Sequence, residues 1–201
     1  MFDKTGTITK GRPTVTDVIV FGNQTEQELL SFAAAIELKS EHPIAIAICQ
    51  AASRYRLKTL QEADSFLATA GHGVEGTVAG KAVGLGNEAF LKKQQISSNE
   101  LADFQKAAKP LRANGKTITG VVIDHRIAGL LAITDPVKPG AQSAIYQLKR
   151  LGLTVTMLTG DHSDSANVIA RTVGIDHYKA SLTPQEKHRL ITESHAHGEQ
   201  P

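Results

Sequence analysis

From residue 127 to the end of the chain, strand signals alternate with helix signals, and that alternation constrains the fold more than any other feature. Residues 127–133 read as a strand, 139–151 as a helix, 153–158 as an apolar strand rich in β-branched side chains, and 163–173 as a helix. A short strand near Tyr178 and a last helix from Pro184 to about Glu193 complete the series. Parallel strands cannot be joined by a tight turn and need a crossover, which an intervening helix supplies. The alternation therefore predicts an α/β unit, a parallel sheet with helices on both faces.

Earlier in the chain the rhythm differs. An extended segment at 15–21 is followed by Thr25 and Glu28, spaced as a capping box, and then by Leu29, Leu30, Phe32, Ala33 and Ile36 at helical spacing. A second helix opens at His42-Pro43, where proline suits the first helical position, and runs to about Arg54. Strands at 74–78 and 82–85 flank Ala79-Gly80-Lys81, and strands at 117–123 and 127–133 flank Asp124-His125-Arg126, so two hairpins are expected. Polar helices cover 87–94 and 98–113. Hairpins with helices describe an α+β domain with an antiparallel sheet. Two domains result, one inside the other: residues 1–16 return to join 127–201, and 17–126 form the insert.

Composition removes several function classes. The 201 residues are 41% hydrophobic and 21% charged, ordinary for a globular protein. A net charge of +2, with six Phe and three Tyr in no basic cluster, argues against nucleic acid as a partner. The single cysteine, Cys49, excludes an internal disulfide and a Cys-rich metal site, and reads as core. No run approaches the roughly 20 apolar residues of a membrane span, and there is no signal peptide, so the chain reads as soluble and cytosolic in style.

Asp3-Lys4-Thr5-Gly6-Thr7 follows a short apolar strand entry. Asp3 is then expected at the carboxyl end of a strand, where open α/β sheets place their ligands. Such a carboxylate can attack a phosphoryl group and form an acyl phosphate. Gly6 allows close backbone approach, and Thr5 and Thr7 offer donors to phosphate oxygens. An isolated Asp-Lys-Thr-Gly would be a turn with an Asx cap. The full pentapeptide followed by Ile8-Thr9 and Gly11-Arg12-Pro13 resembles the phosphorylation signature of P-type ATPases, a branch of the haloacid dehalogenase superfamily. That resemblance implies a Rossmann-like phosphorylation domain split by an inserted nucleotide-binding domain. Elsewhere in the superfamily a second aspartate stands two residues after the nucleophile and activates water. Here that position is Thr5, which is no general base near neutral pH, so the phosphoenzyme should be long-lived.

Further motifs follow in order. Thr159-Gly160-Asp161, by itself a strand-to-helix turn, resembles the superfamily's second motif, in which the threonine holds a phosphoryl oxygen. Lys187, by itself a solvated helical lysine, resembles the lysine that offsets charge between carboxylate and phosphate. Asp135-Pro136-Val137-Lys138 resembles the Asp-Pro-type turn at the domain hinge, its plain alternative being a helix cap. Within the insert, Ser40-Glu41-His42-Pro43 and Gly71-His72-Gly73 resemble elements of heavy-metal-transporting P-type ATPases, with Glu37 upstream and Gly86-Asn87-Glu88 downstream. By resemblance Glu37, His42, Gly71, Gly73 and Asn87 bind the adenosine part of ATP, and Asp135 joins the nucleotide-binding set. Glycines leave room for a base, while an imidazole and a carboxylate can hydrogen-bond its nitrogens.

The resemblance also implies Mg²⁺, held by the Asp3 carboxylate, the Thr5 carbonyl and the aspartates of a Gly-Asp-Gly-x-Asn-Asp motif that would lie beyond Lys187. The sequence instead runs to His195, His197 and Pro201 without it; the two histidines read as a solvated tail. The chain is accordingly read as an excised piece, weak or inactive as an ATPase alone, whose partners would be the transmembrane and actuator domains of the same polypeptide. Copper(I), bound elsewhere, is the preferred cargo, since residues 11–17 and 157–161 look most like copper exporters. Zinc or cadmium transport, and a nucleotide-binding module without catalysis, are the alternatives.

Overall fold

The computed structural model describes residues 1–54 and 62–196. In chain order the first elements are β1 (Phe2–Asp3), β2 (Thr14–Val20), α1 (Glu26–Glu37), α2 (Pro43–Arg54), β3 (Ser65–Thr69), β4 (Gly73–Val78) and β5 (Lys81–Gly86). Then come α3 (Glu88–Lys93), α4 (Ser98–Ala113), β6 (Thr117–Ile123) and β7 (Arg126–Thr134). The last are α5 (Ala141–Arg150), β8 (Thr156–Leu158), α6 (Ser163–Val173), β9 (His177–Lys179) and α7 (Pro184–Ala196). The tail pair lies outside the described residues, His197 entirely and His195 in its side chain. Among the described residues no helix is long and apolar enough to cross a membrane.

Contacts divide the chain into two units. The first contains Met1–Arg12, Arg112–Thr117 and Asp135–Pro201. Its sheet has the order β1-β8-β9 and is parallel throughout, with Phe2 opposite Met157, Asp3 opposite Leu158 and Thr156 opposite His177. Ile8, Ile145, Val155, Met157, Ala166, Ala170, Val173 and Ile175 form its core. Ala166, Ala170 and Val173 recur every three or four residues, so α6 presents one apolar face. That helix stops at Gly174, whose φ of +77° lets its N–H return to the carbonyls of Ala170 and Arg171.

The second unit, Pro13–Leu111 with Ile118–Thr134, holds a six-stranded antiparallel sheet in the order β2-β7-β6-β5-β4-β3. One face carries α1 and α2, which bury Leu29, Leu30, Ile36 and Ile48 against Val83, Leu85, Val121 and Leu131. The other carries α3 and α4 through Phe90, Leu91 and Phe104 against Ile118, Val122 and Leu130. Alternate strand residues thus serve different cores, the period-2 rule applied to a sheet covered twice. The α1 capping box forms as read: the Thr25 hydroxyl accepts from Glu28 N–H at 3.1 Å, and the Glu28 carboxylate accepts from Thr25 N–H at 2.8 Å.

The α/β and α+β classes are those read from the sequence, and three details differ. The sequence places 127–133 both in a hairpin with 117–123 and at the head of the alternating series; the hairpin forms, but β7 pairs with β2 and β6 in the antiparallel sheet and not with the parallel strands. The turn Asp124-His125, with φ of +49° and +63°, is a two-residue hairpin connection and can deliver only an antiparallel neighbour. The units accordingly divide near residues 12 and 134 rather than 16 and 126. Strand β3 was not read at all, because this edge strand leaves Leu67 58% exposed and shows no buried alternation. Strand β8 begins at Thr156 rather than at Leu153, which remains largely exposed after the turn at Gly152.

Leu131 is fully buried in the α1–α2 core, so Leu131→Ala is expected to cost about 3 kcal/mol. Thr25→Ala, which removes one cap, should cost about 1 kcal/mol. Urea denaturation of both variants checks the ranking.

Candidate active site

Because β1 and β8 run parallel and in register at Asp3 and Leu158, the residues that follow them, Lys4 and Thr159, leave the same edge of the sheet. After Asp3 the chain makes a wide turn over Lys4–Ile8, closed by Thr9 N–H on the Lys4 carbonyl at 3.0 Å. The turn passes through Gly6 at φ +77°, a conformation that favours glycine. Its residues sort by burial: Lys4, Ile8 and Thr9 are inside, while Asp3, Thr5, Gly6 and Thr7 face solvent.

Lys187 Nζ donates to Asp3 Oδ1 at 2.8 Å, and Lys4 N–H donates to the same oxygen at 2.9 Å. Both bonds fall on Oδ1, and among the described residues nothing bonds to Oδ2. Lys187 is placed by the first turn of α7, where Thr183 and Glu186 bond reciprocally and Lys187 N–H reaches the Thr183 carbonyl. Lys4 lies elsewhere: its ammonium is paired with the Asp161 carboxylate, and both side chains are nearly buried. The other Asp161 oxygen accepts from Thr117 Oγ1 at 3.0 Å. Thr159, 2% exposed, accepts Asp161 N–H at 3.1 Å on its hydroxyl. A hydroxyl that accepts one bond still has its proton to donate. Gly160 is exposed beside it. Asp3, Lys4, Thr5, Thr159, Gly160, Asp161 and Lys187 therefore all belong to the parallel-sheet unit.

Asp135 belongs to this unit too and not to the insert with the other residues grouped for nucleotide. Its carboxylate is spent on its own chain, accepting from Thr9 Oγ1 at 2.5 Å, Gly11 N–H at 3.2 Å and Arg12 N–H at 3.1 Å.

The remaining five residues lie in the antiparallel-sheet unit. Asn87 caps α3 through Phe90 N–H at 3.0 Å and donates from Nδ2 to the Gly71 carbonyl at 2.8 Å. Gly71 sits at φ +74°, and a Cβ on Gly73 would stand 2.1 Å from the Leu85 carbonyl oxygen, so neither glycine has a ready substitute. Glu37 and His42 bracket the connection between α1 and α2. His42 Nδ1 accepts from Ile44 N–H at 3.2 Å, which puts the ring proton on Nε2. Desolvation lowers the pKa of His42, so the ring stays neutral and presents Nε2–H as a donor. Glu37 is 7% exposed, and its Oε2 is buried without a hydrogen-bond partner among the described residues. Burial raises its pKa, with the Ser40 hydroxyl pulling the other way.

Sequence reading missed the links that tie the sites to the fold. Thr117 gives no local signal, since its hydroxyl lies 44 positions from Asp161, and the Asp135–Lys138 motif does not reveal that Lys138 reaches the Gly6 carbonyl. The open Oε2 of Glu37 is likewise a consequence of packing.

A family model described as "haloacid dehalogenase-like hydrolase" matches residues 1–200. A copper-transporting P-type ATPase of Rhizobium leguminosarum bv. viciae is 41% identical over 196 residues, which is 98% of this chain and 23% of that protein. The chain thus spans about a quarter of the length of the curated relatives it matches. Among solved structures, the catalytic domain of the CPx-ATPase CopB-B is similar with a TM-score of 0.74 at 26% identity, covering 98% of this chain and 66% of that one. A zinc-transporting PIB-type ATPase in an E2·Pi state is similar with a TM-score of 0.61 at 33% identity, covering 98% and 31%.

The raised pKa of Glu37 makes stability depend on pH. The folded protein holds that proton more tightly than the unfolded chain, so the contribution is complete below the ordinary value of 4.5 and is lost as pH rises through the folded pKa. Glu37→Gln cannot ionise and is expected to gain on the wild type as pH rises from 4.5 through the folded pKa, and to keep that gain above it. Urea titrations from pH 4 to 8 test this, and parallel curves would contradict it.

Proposed function

The chain belongs to the haloacid dehalogenase-like hydrolase family, and on that footing we propose that it is the ATP-handling, autophosphorylating part of a heavy-metal-transporting P-type ATPase. The observation that carries the reading is Asp3 itself: an exposed carboxylate at the carboxyl edge of a parallel sheet, one oxygen held by Lys187 and the other open. In the proposed reaction Asp3 Oδ2 attacks the γ-phosphorus of ATP. An O–P bond forms, the bond to the β,γ-bridging oxygen breaks, and ADP leaves with that electron pair. Phosphoryl transfer is mainly positioning and charge neutralisation, which here falls to Lys187 and to the Thr159 hydroxyl. Thr5 stands where a hydrolytic phosphatase would need an acid or base, and its hydroxyl is neither near neutral pH.

Mg²⁺ takes hard oxygen ligands. The Asp3 carboxylate and the carbonyl of exposed Thr5 offer oxygens of that kind, so these residues fit the ion. When bound, it would supply positive charge against the γ-phosphate.

Glu37, His42, Gly71, Gly73 and Asn87 are proposed to hold the adenosine end. The buried, unpartnered Oε2 of Glu37 and the Nε2–H of His42 are an acceptor and a donor suited to an adenine edge. Copper(I) is the proposed cargo, on the similarity to a copper-transporting relative. The likeness to a zinc-transporting ATPase supports zinc as a second reading. The transmembrane and actuator domains of one polypeptide would be the partners, with this part at the cytosolic face of the membrane.

ATP should bind weakly, with Kd on the order of 0.1–1 mM, or about 4–5.5 kcal/mol. His42→Ala should weaken it in titration calorimetry, and equal affinities would remove His42 from the site. In the intact parent polypeptide, labelled ATP and Mg²⁺ should form an acid-stable, hydroxylamine-labile phosphate that is absent from Asp3→Asn, which keeps ATP affinity. Label that survives in Asp3→Asn would put the acceptor elsewhere. ATP binding with no label in the wild type would favour a nucleotide-binding module without catalysis.

A further inference from the structure

The turn that carries Asp3 onward is held from one side by a single tetrapeptide, Asp135-Pro136-Val137-Lys138. The backbones run together as a short ladder: Lys138 N–H donates to the Ile8 carbonyl at 2.9 Å, Lys10 N–H donates to the Pro136 carbonyl at 2.9 Å, and Thr9 and Val137 form an antiparallel bridge. Side chains extend it at both ends. Asp135 gathers the Thr9 hydroxyl and the N–H groups of Gly11 and Arg12. Lys138 Nζ reaches the Gly6 carbonyl at 2.5 Å, inside the turn itself.

We propose that Lys138 and Asp135 are positioning residues that set the shape of the Lys4–Ile8 turn beside Asp3. Their consequence for phosphoryl transfer rests on the acceptor reading of Asp3, whereas the brace itself does not. Gly6, at φ +77° and with no side chain to pack, is the least determined residue of the turn. A trans peptide unit is planar, with its C=O and N–H pointing opposite ways. Holding the Gly6 carbonyl on the Lys138 ammonium therefore also fixes the direction of the Thr7 N–H. A donor on exposed Thr7 fixed in this way is preorganised for an anion and need not reorient during reaction. Asp135 anchors the other end, because its acceptance from Thr9 fixes the residue whose N–H closes the turn on Lys4. The sequence hinted at a hinge here; the contacts assign the tetrapeptide a second task, bracing the acceptor turn.

Amide hydrogen exchange by NMR on the whole chain, compared with Lys138→Met and Lys138→Arg, tests the brace. Lys138→Met should speed exchange of the Thr9 amide about tenfold, the scale of one lost hydrogen bond to a charged group. Lys138→Arg, which keeps the charge and the donors, should remain close to wild type, and the sheet amides of Met157 and Tyr178 should not change in either. Unchanged Thr9 exchange in Lys138→Met overturns the proposal, and so does equal acceleration of Thr9 and the sheet, which would mark a general loss of stability. In the labelling assay Lys138→Met should form acyl phosphate about tenfold more slowly at unchanged ATP affinity, the split expected of lost positioning. Normal labelling in that variant, with the turn loosened, would overturn the link to chemistry. Absence of label in the wild type, with the exchange pattern as expected, counts against the functional reading and not against the brace.

Discussion

Two residues of parallel strand hold the candidate chemistry in place. Phe2 lies opposite Met157 and Asp3 opposite Leu158, so a carboxylate near the start of the sequence is fixed beside a motif more than 150 positions away. The entropy of closing so long a loop grows only logarithmically with its length, which makes a large insertion tolerable. The pairing must still be supported, and the buried side chains of Met157, Val155 and Ile8 supply apolar contact around it. Without that register, Asp3, Thr159 and Lys187 would have no common edge.

Around this edge the charges are divided between two lysines. Lys187 faces the half-exposed Asp3 carboxylate, where its charge stays available to an incoming anion. Lys4, the immediate neighbour of Asp3, is turned inward and neutralised by Asp161, whose second oxygen is held by Thr117. A buried ion pair adds little net stability, but breaking one is expensive, so it fixes geometry more than it adds free energy. The adjacent turn can then expose Asp3, Thr5, Gly6 and Thr7 while Lys4 and Ile8 stay buried at its ends.

The second unit solves a different problem. Its sheet is covered on both faces, so nearly every residue of β7 is buried and the strand reads as a continuous apolar run. Such a run looks the same in a parallel sheet and in a doubly covered antiparallel one, which is why the sequence places β7 at the head of the parallel unit as well as in a hairpin with β6. The proposed nucleotide residues sit at the ends of its elements, where polar groups can remain open. Glu37 is the exception, a carboxyl carried into the interior with one oxygen unpartnered.

By itself the sequence determined whatever depends on short spacings. The capping box at Thr25 and Glu28, the helix Ser163–Val173, and the two hairpins at Ala79-Gly80 and Asp124-His125 follow from local backbone preferences and were legible at once. The candidate residues Asp3, Thr159 and Lys187 were legible only through their motifs' resemblance to a family, since alone they read as a capped turn, a strand-to-helix turn and a solvated lysine. Tertiary structure decided what depends on partners distant in sequence: the allegiance of β7, the exposed edge strand β3, the pairing of Lys4 with Asp161, and the capture of the Gly6 carbonyl by Lys138. Local periodicity records how a segment alternates and not which surface it meets. Hydrogen bonds between residues more than 40 positions apart leave no spacing in the sequence to read.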